Sequence, residues 1–465
     1  MNYIKILRLT FLISILTIFA CDISNSQHDG WDKLDDIRKN IVPPTFQDKD
    51  FSIVDFGAIE DGKTNSTEAF NKAILACSEA GGGRVIVPAG EFLTGSIHLK
   101  SNVNLHLEKN AIIKFSTNPE DYLPLVFTRW EGVECMNYSP LIYAYEQENI
   151  AVTGEGILDG QGANNNWWPW KGNKEDGWVD GMPHQKKGRD LLFQMAEDNV
   201  PPQERIMGKG FYLRPSFFQP YKSKNILVDG VTFKDSPMWF LNPVLCQNVT
   251  VQNLRIEGLG PNNDGCNPES SKDVLIKNCY FDTGDDCIAI KSGRNNDGRR
   301  VNVPSENIII ENCIMKEGHG GVVMGSEISG GVRNVYAQNC EMSSPHLDRA
   351  LRFKTNAVRG GTIENIFLRN IKVGEVGEAV IKIDYFYEEG DKGKFMPTIR
   401  NVHVQNMISE KSKFAIWIKA FNNAPVTGFY LDNCIFNNVE KENVIENLKD
   451  YKFNSVIINN KIIKE

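Results

Sequence analysis

Asn225-Ile226-Leu227-Val228-Asp229-Gly230-Val231-Thr232-Phe233 returns in altered form as Asn248-Val249-Thr250-Val251-Gln252-Asn253-Leu254-Arg255-Ile256. Each copy alternates apolar and polar residues with period 2, breaks at Gly or Asn and resumes, the pattern of two short strands joined by a corner. The echo continues at 274–281, 308–315, 335–342, 363–373, 402–407 and 429–436. With Gly230 and then Asn253, Asn278, Asn312, Asn339, Asn370, Asn406 and Asn433 as markers, the steps are 23, 25, 34, 27, 31, 36 and 27 residues. Strand-and-turn repeats of this length mean a solenoid or a propeller, and a four-stranded propeller blade would need roughly 40 to 45 residues. The shorter steps predict three-strand coils, an all-β, right-handed parallel β-helix. Stacked coils would set the marker asparagines in a hydrogen-bonded ladder along one turn.

The same repeat places the cysteines. Ten of them in an exported chain would ordinarily suggest disulfides. Yet Cys279, Cys313, Cys340 and Cys434 each follow Asn at one point of the repeat, so they read as small buried fillers, one per coil. Upstream, a strand at 51–58 precedes Asn65 and Glu68, spaced as a capping box. Phe70, Ile74, Leu75 and Cys77 form an apolar stripe at helical spacing, and Gly81-Gly82-Gly83 ends it. This predicts an N-terminal helix that covers the open end of the stack. The rhythm fails at 164–220, where Trp167, Trp168, Trp170 and Trp178 stand among charges and prolines. So long a Trp-bearing insertion predicts an ordered wall beside a binding groove, with indole faces on which sugars could pack.

The 465-residue chain has no low-complexity block to divide it, and its net charge of −8 argues against nucleic acid as a partner. Residues 1–20 carry Lys5 and Arg8 before the apolar run from Leu9 to Ala20, long enough for a signal peptide and too short for a membrane span. Ile18-Phe19-Ala20-Cys21 resembles a bacterial lipobox, which predicts lipidation of Cys21; Phe19 departs from the small residues usual there, and an ordinary cleaved signal is the alternative. Residues 21–49 are then expected to be a tether without structure of its own, and 50–465 a single β-helix domain. The expected location is the periplasm or outer membrane of a Gram-negative bacterium, with the membrane reached only through Cys21 and the protein acting as a monomer.

Four polar clusters recur along the repeats: Asn262-Asn263-Asp264-Gly265, Gly284-Asp285-Asp286-Cys287, Gly318-His319-Gly320 and Arg352-Phe353-Lys354. Singly, each has an ordinary reading as turn chemistry or a solvated strand face. Stacked coils lie about 4.7 to 4.9 Å apart, which brings the clusters together. Asp264 and Asp285, one coil apart, could with a lateral offset reach the roughly 6.5 to 9.5 Å of an inverting glycosidase pair. Repulsion would hold one of them protonated as a general acid. Consecutive strand residues point to opposite faces, so Asp285 and Asp286 can share a groove only if the backbone bends near Gly284. Alternation sets Arg352 and Lys354 outward as a carboxylate-binding pair and Phe353 inward.

Asn-x-Asp, Gly-Asp-Asp, Gly-His-Gly and Arg-x-Lys, in that order on a β-helix, resemble the polygalacturonases of glycoside hydrolase family 28, and the resemblance spans roughly residues 50–440. Asp55-Phe56-Gly57-Ala58 and Val87-Pro88-Ala89-Gly90 are similar to the start of the wider group of pectin-degrading β-helices. The resemblance implies Asp285 as general acid, Asp264 and Asp286 as the groups that hold and deprotonate water, and His319 as their assistant near the acid. It implies Arg352, Lys354, Lys291 and Asn262 as contacts to galacturonate, with Tyr385 or Tyr387 supplying a further tyrosine, and no metal or cofactor. Asn263 stands where the family commonly has Thr. The insertion resembles those of the bacterial exo-acting branch, so the expected activity is inverting exo-hydrolysis of α-1,4 bonds between galacturonates of pectin. The rivals are a rhamnogalacturonan-directed hydrolase of the same family, a calcium-dependent pectate lyase and a non-catalytic β-helical adhesin.

Overall fold

Short parallel strands dominate because each coil buries one alternating set of side chains and hydrogen-bonds to the coils on either side. The structure, a computed structural model, describes residues 30–463; the expected signal peptide and Cys21 lie outside the described residues. One face of the β-helix runs through the strands Lys224–Asp229, Gln247–Gln252, Lys272–Lys277, Ser305–Glu311 and Val332–Gln338. A second holds Thr232–Lys234, Arg255–Gly258 and Tyr280–Thr283. The third, which carries the site, holds Phe218–Tyr221, isolated bridges at Leu241 and Cys266, and then Ile288–Ile290, Val322–Met324, Arg349–Lys354, Ala379–Asp384 and Phe414–Lys419. In-register pairing stacks like on like: Val228, Val251, Ile276, Ile310, Ala337, Leu368, Val404 and Leu431 form one buried column.

The marker asparagines take the left-handed conformation that Asn tolerates, with φ near +55° at Asn253, Asn278, Asn312, Asn339 and Asn370. Their amides bond from coil to coil, Asn278 to Asn253 at 3.1 Å, Asn312 to Asn278 at 3.2 Å and Asn406 to Asn370 at 3.0 Å. A second ladder, not anticipated, runs at the start of the first face: Asn248 bonds to Asn225, and beyond it Asp273 accepts from Asn307, which is followed by Asn334, Asn365 and Asn401. Cys279, Cys313, Cys340 and Cys434 are buried and unpaired beside the first ladder.

The helix Thr67–Glu79 buries Phe70, Ile74 and Cys77 together with Ala69 and Ala73. Two details differ from expectation. Ser66, not Asn65, is the N-cap; Asn65 instead accepts from the Thr67 N–H at 2.9 Å, and Glu68 pairs with Lys72 one turn on. Leu75 is half exposed, because it lies off the stripe that Phe70, Ile74 and Cys77 define.

The structureless tether needs a larger correction. Within it, Trp31–Lys33 and Leu34–Lys39 are helical, and Trp31, Leu34, Ile37 and Ile41 pack on the outward-facing Leu275, Ile309, Tyr336 and Phe367 of the first face. Those four are apolar at positions where a solvated coil would be polar, so the β-helix exposes a patch that the segment must cover. Arg38 adds a two-pronged pair to Glu311 at 2.9 and 2.8 Å.

The insertion is ordered, but its tryptophans work differently from the expectation. Trp167 is buried against Tyr122 and Trp170, and Trp168 sends its indole N–H to the Ser236 carbonyl at 3.0 Å. They anchor the wall to the coils rather than offering faces to a sugar. A hairpin of Val126–Trp130 and Val133–Asn137, unread in the sequence, packs beside the helix Lys186–Glu197.

Candidate active site

Three successive corners between the second and third faces bring the clusters together. Asn262 and Asp264 occupy the corner after Arg255–Gly258, Asp285 and Asp286 the corner after Tyr280–Thr283, and His319 the corner one coil later. The backbone does leave strand conformation at Gly284, as the adjacent aspartates require, and it does so as a corner rather than a bulge. Glycine is needed there by contact. A Cβ on Gly284 would lie 2.2 Å from the Gly260 carbonyl oxygen, and one on Gly318 would lie 2.5 Å from that of Asp285. Bonds from Gly265 N–H to Asp286 O at 3.0 Å and from Cys287 N–H to Gly320 O at 2.8 Å lock the corners in register.

Carboxylate oxygens of Asp264, Asp285 and Asp286 all lie within 4.8 Å of one another. The coil spacing thus brings carboxylates of successive corners into direct proximity. Their surroundings separate them. Asp286, fully buried, takes Lys354 Nζ at 2.5 Å on one oxygen and Arg352 Nη1 at 3.2 Å on the other. Asp264, also buried, receives Asn267 Nδ2 at 3.0 Å and faces Lys291 Nζ at 3.5 Å. Asp285 accepts from Asn262 Nδ2 at 3.4 Å and meets His319 Nδ1 at 3.0 Å, and it alone of the three carboxylates keeps appreciable exposure.

Burial and the neighbouring Asp285 charge push the Asp264 carboxyl well above the ordinary range, in spite of Lys291. Burial works against ionisation of Asp285 too, but the His319 hydrogen bond and charge, with Lys354 and Lys291, hold that carboxyl well below it. For Asp286, Lys354 and Arg352 outweigh burial in the same way. His319 is raised by its bond to Asp285. The surroundings therefore favour the protonated form of Asp264 and of His319 and the ionised form of Asp285 and Asp286.

Phe353 is buried in the core while Arg352 and Lys354 face the site, as alternation requires. Tyr385, however, lies fully buried against Phe421 and does not reach the site. Inward alternation carries on from Ile381 and Ile383 to Tyr385, and the chain turns out only afterwards, so Tyr387 is the tyrosine beside Arg352 and Lys354, its ring centroid 5.6 and 5.5 Å from them.

All these groups but the fully covered Asp286 line a cavity of about 230 Å³. Residues that carried no motif complete it. Glu327, on the coil after Lys291, pairs with Lys291 at 3.0 Å and Arg294 at 3.3 Å. Glu131 at the hairpin tip pairs with Arg189 of the insertion at 2.8 Å, and Glu388 pairs with Arg294 at 3.1 Å. Lys171 follows Trp170, and Trp239 lies against Lys291 at 4.7 Å. Only the alignment of Glu327 one coil past Lys291 could have been read beforehand; the others come together through loops.

A cation-lined cavity with one carboxyl pinned by two cations and another in contact with an imidazole is the arrangement of an enzyme that breaks bonds by acid-base chemistry on an anionic substrate. Residues 208–456 match the glycosyl hydrolases family 28, and residues 51–120 match the family described as rhamnogalacturonase A/epimerase, pectate lyase-like. The chain belongs to glycosyl hydrolases family 28 and is a glycoside hydrolase. It is 45% identical to a hyperthermoactive exopolygalacturonase from Thermotoga maritima, covering 93% of this chain and 96% of that one with a TM-score of 0.90. It is 25% identical to the family 28 exopolygalacturonase of Yersinia enterocolitica, over 89% of this chain and 76% of that one, with a TM-score of 0.72. An exo-poly-alpha-D-galacturonosidase of Dickeya chrysanthemi is 27% identical over 89% of this chain and 71% of its own length.

Proposed function

We propose that this enzyme is an exo-acting polygalacturonase that hydrolyses the α-1,4 bond between galacturonates with inversion. In this reading Asp285 protonates the leaving oxygen, and the attacking water is held by Asp264 and Asp286, with Asp286 taking its proton. The observation that carries it is the contrast between neighbours: Asp286 is covered and paired with Lys354 and Arg352, while Asp285 faces the cavity and touches His319. Both Asp286 oxygens already hold cations, which leaves a lone pair for a water proton but disfavours a covalent bond to the sugar. The exo assignment is supported by the wall that the insertion builds at the cavity and by the relatives named as exopolygalacturonases.

The resting charge distribution refines the acid step. His319 holds the Asp285 carboxyl well below its ordinary range, so in this reading the proton that Asp285 delivers is drawn from His319 Nδ1, 3.0 Å away. Digalacturonate and longer oligomers of defined length test the whole reading. Release of galacturonate alone, first seen by proton NMR as the β anomer, is expected; an α anomer, a ladder of internal fragments or an unsaturated product absorbing in the ultraviolet would overturn it. We also propose that the enzyme is exported and lipid-anchored through Cys21. Cys21→Ala should move it from the membrane to the soluble fraction, and unchanged membrane attachment would refute the anchor.

A further inference from the structure

Every cation in the cavity but one is already matched by acid. Lys291 lies within 4.0 Å of Asp264 and Glu327, Arg352 and Lys354 of Asp286, Arg189 of Glu131, and Arg294 of Glu327 and Glu388. Lys171 lines the same cavity, and among the described residues no carboxylate comes within 4.0 Å of it. Its ammonium is held instead by the Asn262 amide oxygen at 2.7 Å, an acceptor that also serves Arg214 Nη2 at 2.8 Å. Burial depresses the Lys171 pKa, and the more distant charges of Glu131 and Asp285, opposed by Arg214 and Arg189, do not offset it. A partly buried ammonium in that condition is stabilised by an anion that enters the cavity.

We propose that Lys171 is a specificity-determining residue that binds the uronate carboxylate of the sugar seated against the insertion. This rests on the galacturonide reading above and deepens it, because Arg352 and Lys354 are taken up by Asp286 and can serve a substrate carboxylate only by sharing. Lys171 belongs to the turn Trp168–Lys171, which the Trp168 bond to Ser236 and the burial of Trp167 hold against the coils. The ammonium is thus placed by a rigid element before substrate arrives. Through Asn262, whose Nδ2 reaches Asp285 Oδ2 at 3.4 Å, the carboxylate-binding point sits one side chain from the acid.

Two inhibitors that differ only in charge test this. Galacturonate and its methyl ester are titrated against digalacturonate hydrolysis by the wild type, Lys171→Arg and Lys171→Met. The wild type should prefer the acid; Lys171→Met should lose about 10- to 100-fold of that preference, with KM for digalacturonate rising by a similar factor and kcat changing far less. Lys171→Arg, which keeps the charge, should retain most of the preference. An acid-to-ester ratio in Lys171→Met equal to that of the wild type overturns the proposal, and so does a fall in kcat at unchanged KM, which would make Lys171 a support for Asn262 and Asp285 only. Should Lys171→Met fail to fold, Lys171→Gln is read in the same way. If the wild type does not hydrolyse digalacturonate at all, the galacturonide reading has failed instead, so the two failures are distinguishable.

Discussion

Replacing His319 with Gln removes the proton that the acid step draws on while keeping a side chain that can hydrogen-bond. In the structure His319 Nδ1 lies 3.0 Å from Asp285 Oδ1, with the His319 side chain 52% exposed and Asp285 15% exposed. A hydrogen bond between charged groups contributes about 1.5 to 3 kcal/mol, and the half-exposed imidazole places this one at the low end because solvent screens it. The loss of about 1.5 kcal/mol corresponds to roughly tenfold in kcat/KM at the optimum. The pH profile is more diagnostic than the rate. His319 is raised above 6.5 by Asp285, so the wild type keeps its proton to higher pH than a free imidazole and loses activity as pH rises through that raised value. Asp286 is depressed below 3.8, so the base stays ionised and the acidic limb lies below that pH. Measured as kcat/KM on digalacturonate, the wild type should show a broad plateau between these limbs. In His319→Gln the alkaline limb should move to lower pH, since only the Asp285 carboxyl can then hold the proton. An alkaline limb that stays in place would refute His319 as the proton source.

Other outcomes follow from the same geometry. Asp285→Asn should lower kcat by about 100- to 10,000-fold without changing the circular dichroism spectrum; wild-type turnover would remove Asp285 from the acid role. Asp264 is an acid whose pKa is raised on folding, so it costs stability above its unfolded value of about 3.8 and nothing below it. Asp264→Asn should therefore be inactive yet melt a few degrees higher at pH 7, with the gain vanishing near pH 3 in calorimetry. Tyr387→Ala should raise KM for oligogalacturonides severalfold, whereas Tyr385→Phe should leave KM and kcat unchanged, since Tyr385 faces the core. Trp31→Ala should expose the segment around 30–41 to limited proteolysis while turnover persists, because Trp31 holds that segment on Tyr336 and Phe367 far along the chain from the acids.

The repeat was legible because it is written in single residues. Asn at each corner and an alternating apolar set reveal the coil, and the coil spacing then forces Asp264, Asp285 and His319 into contact. What the sequence hid depends on where a strand ends. Tyr385 and Tyr387 have the same parity, and only the turn after Asp384 decides that one faces inward and the other the cavity. Trp167, Trp168 and Trp170 could equally have been sugar platforms; packing on Tyr122 and Ser236 makes them anchors. The flank of the first face was misread for the opposite reason. Leu275, Ile309, Tyr336 and Phe367 announce a covered surface, but their cover comes from residues more than two hundred positions earlier, beyond any local pattern.

The arrangement also explains why so many charges are buried around one small cavity. Lys291, Arg352 and Lys354 offset Asp264, Asp286 and Glu327, and such groups taken singly would each destabilise the fold. Replacing them by apolar residues of similar size would be expected to stabilise the coils, as buried ion pairs are seldom the most stable solution. Their presence on the third face, between columns that are otherwise Val, Ile and Leu, is therefore accounted for by chemistry rather than folding. The coil supplies the spacing, the corners supply the glycines that let carboxylates crowd to within 4.8 Å, and the cations decide which of them can give or take a proton.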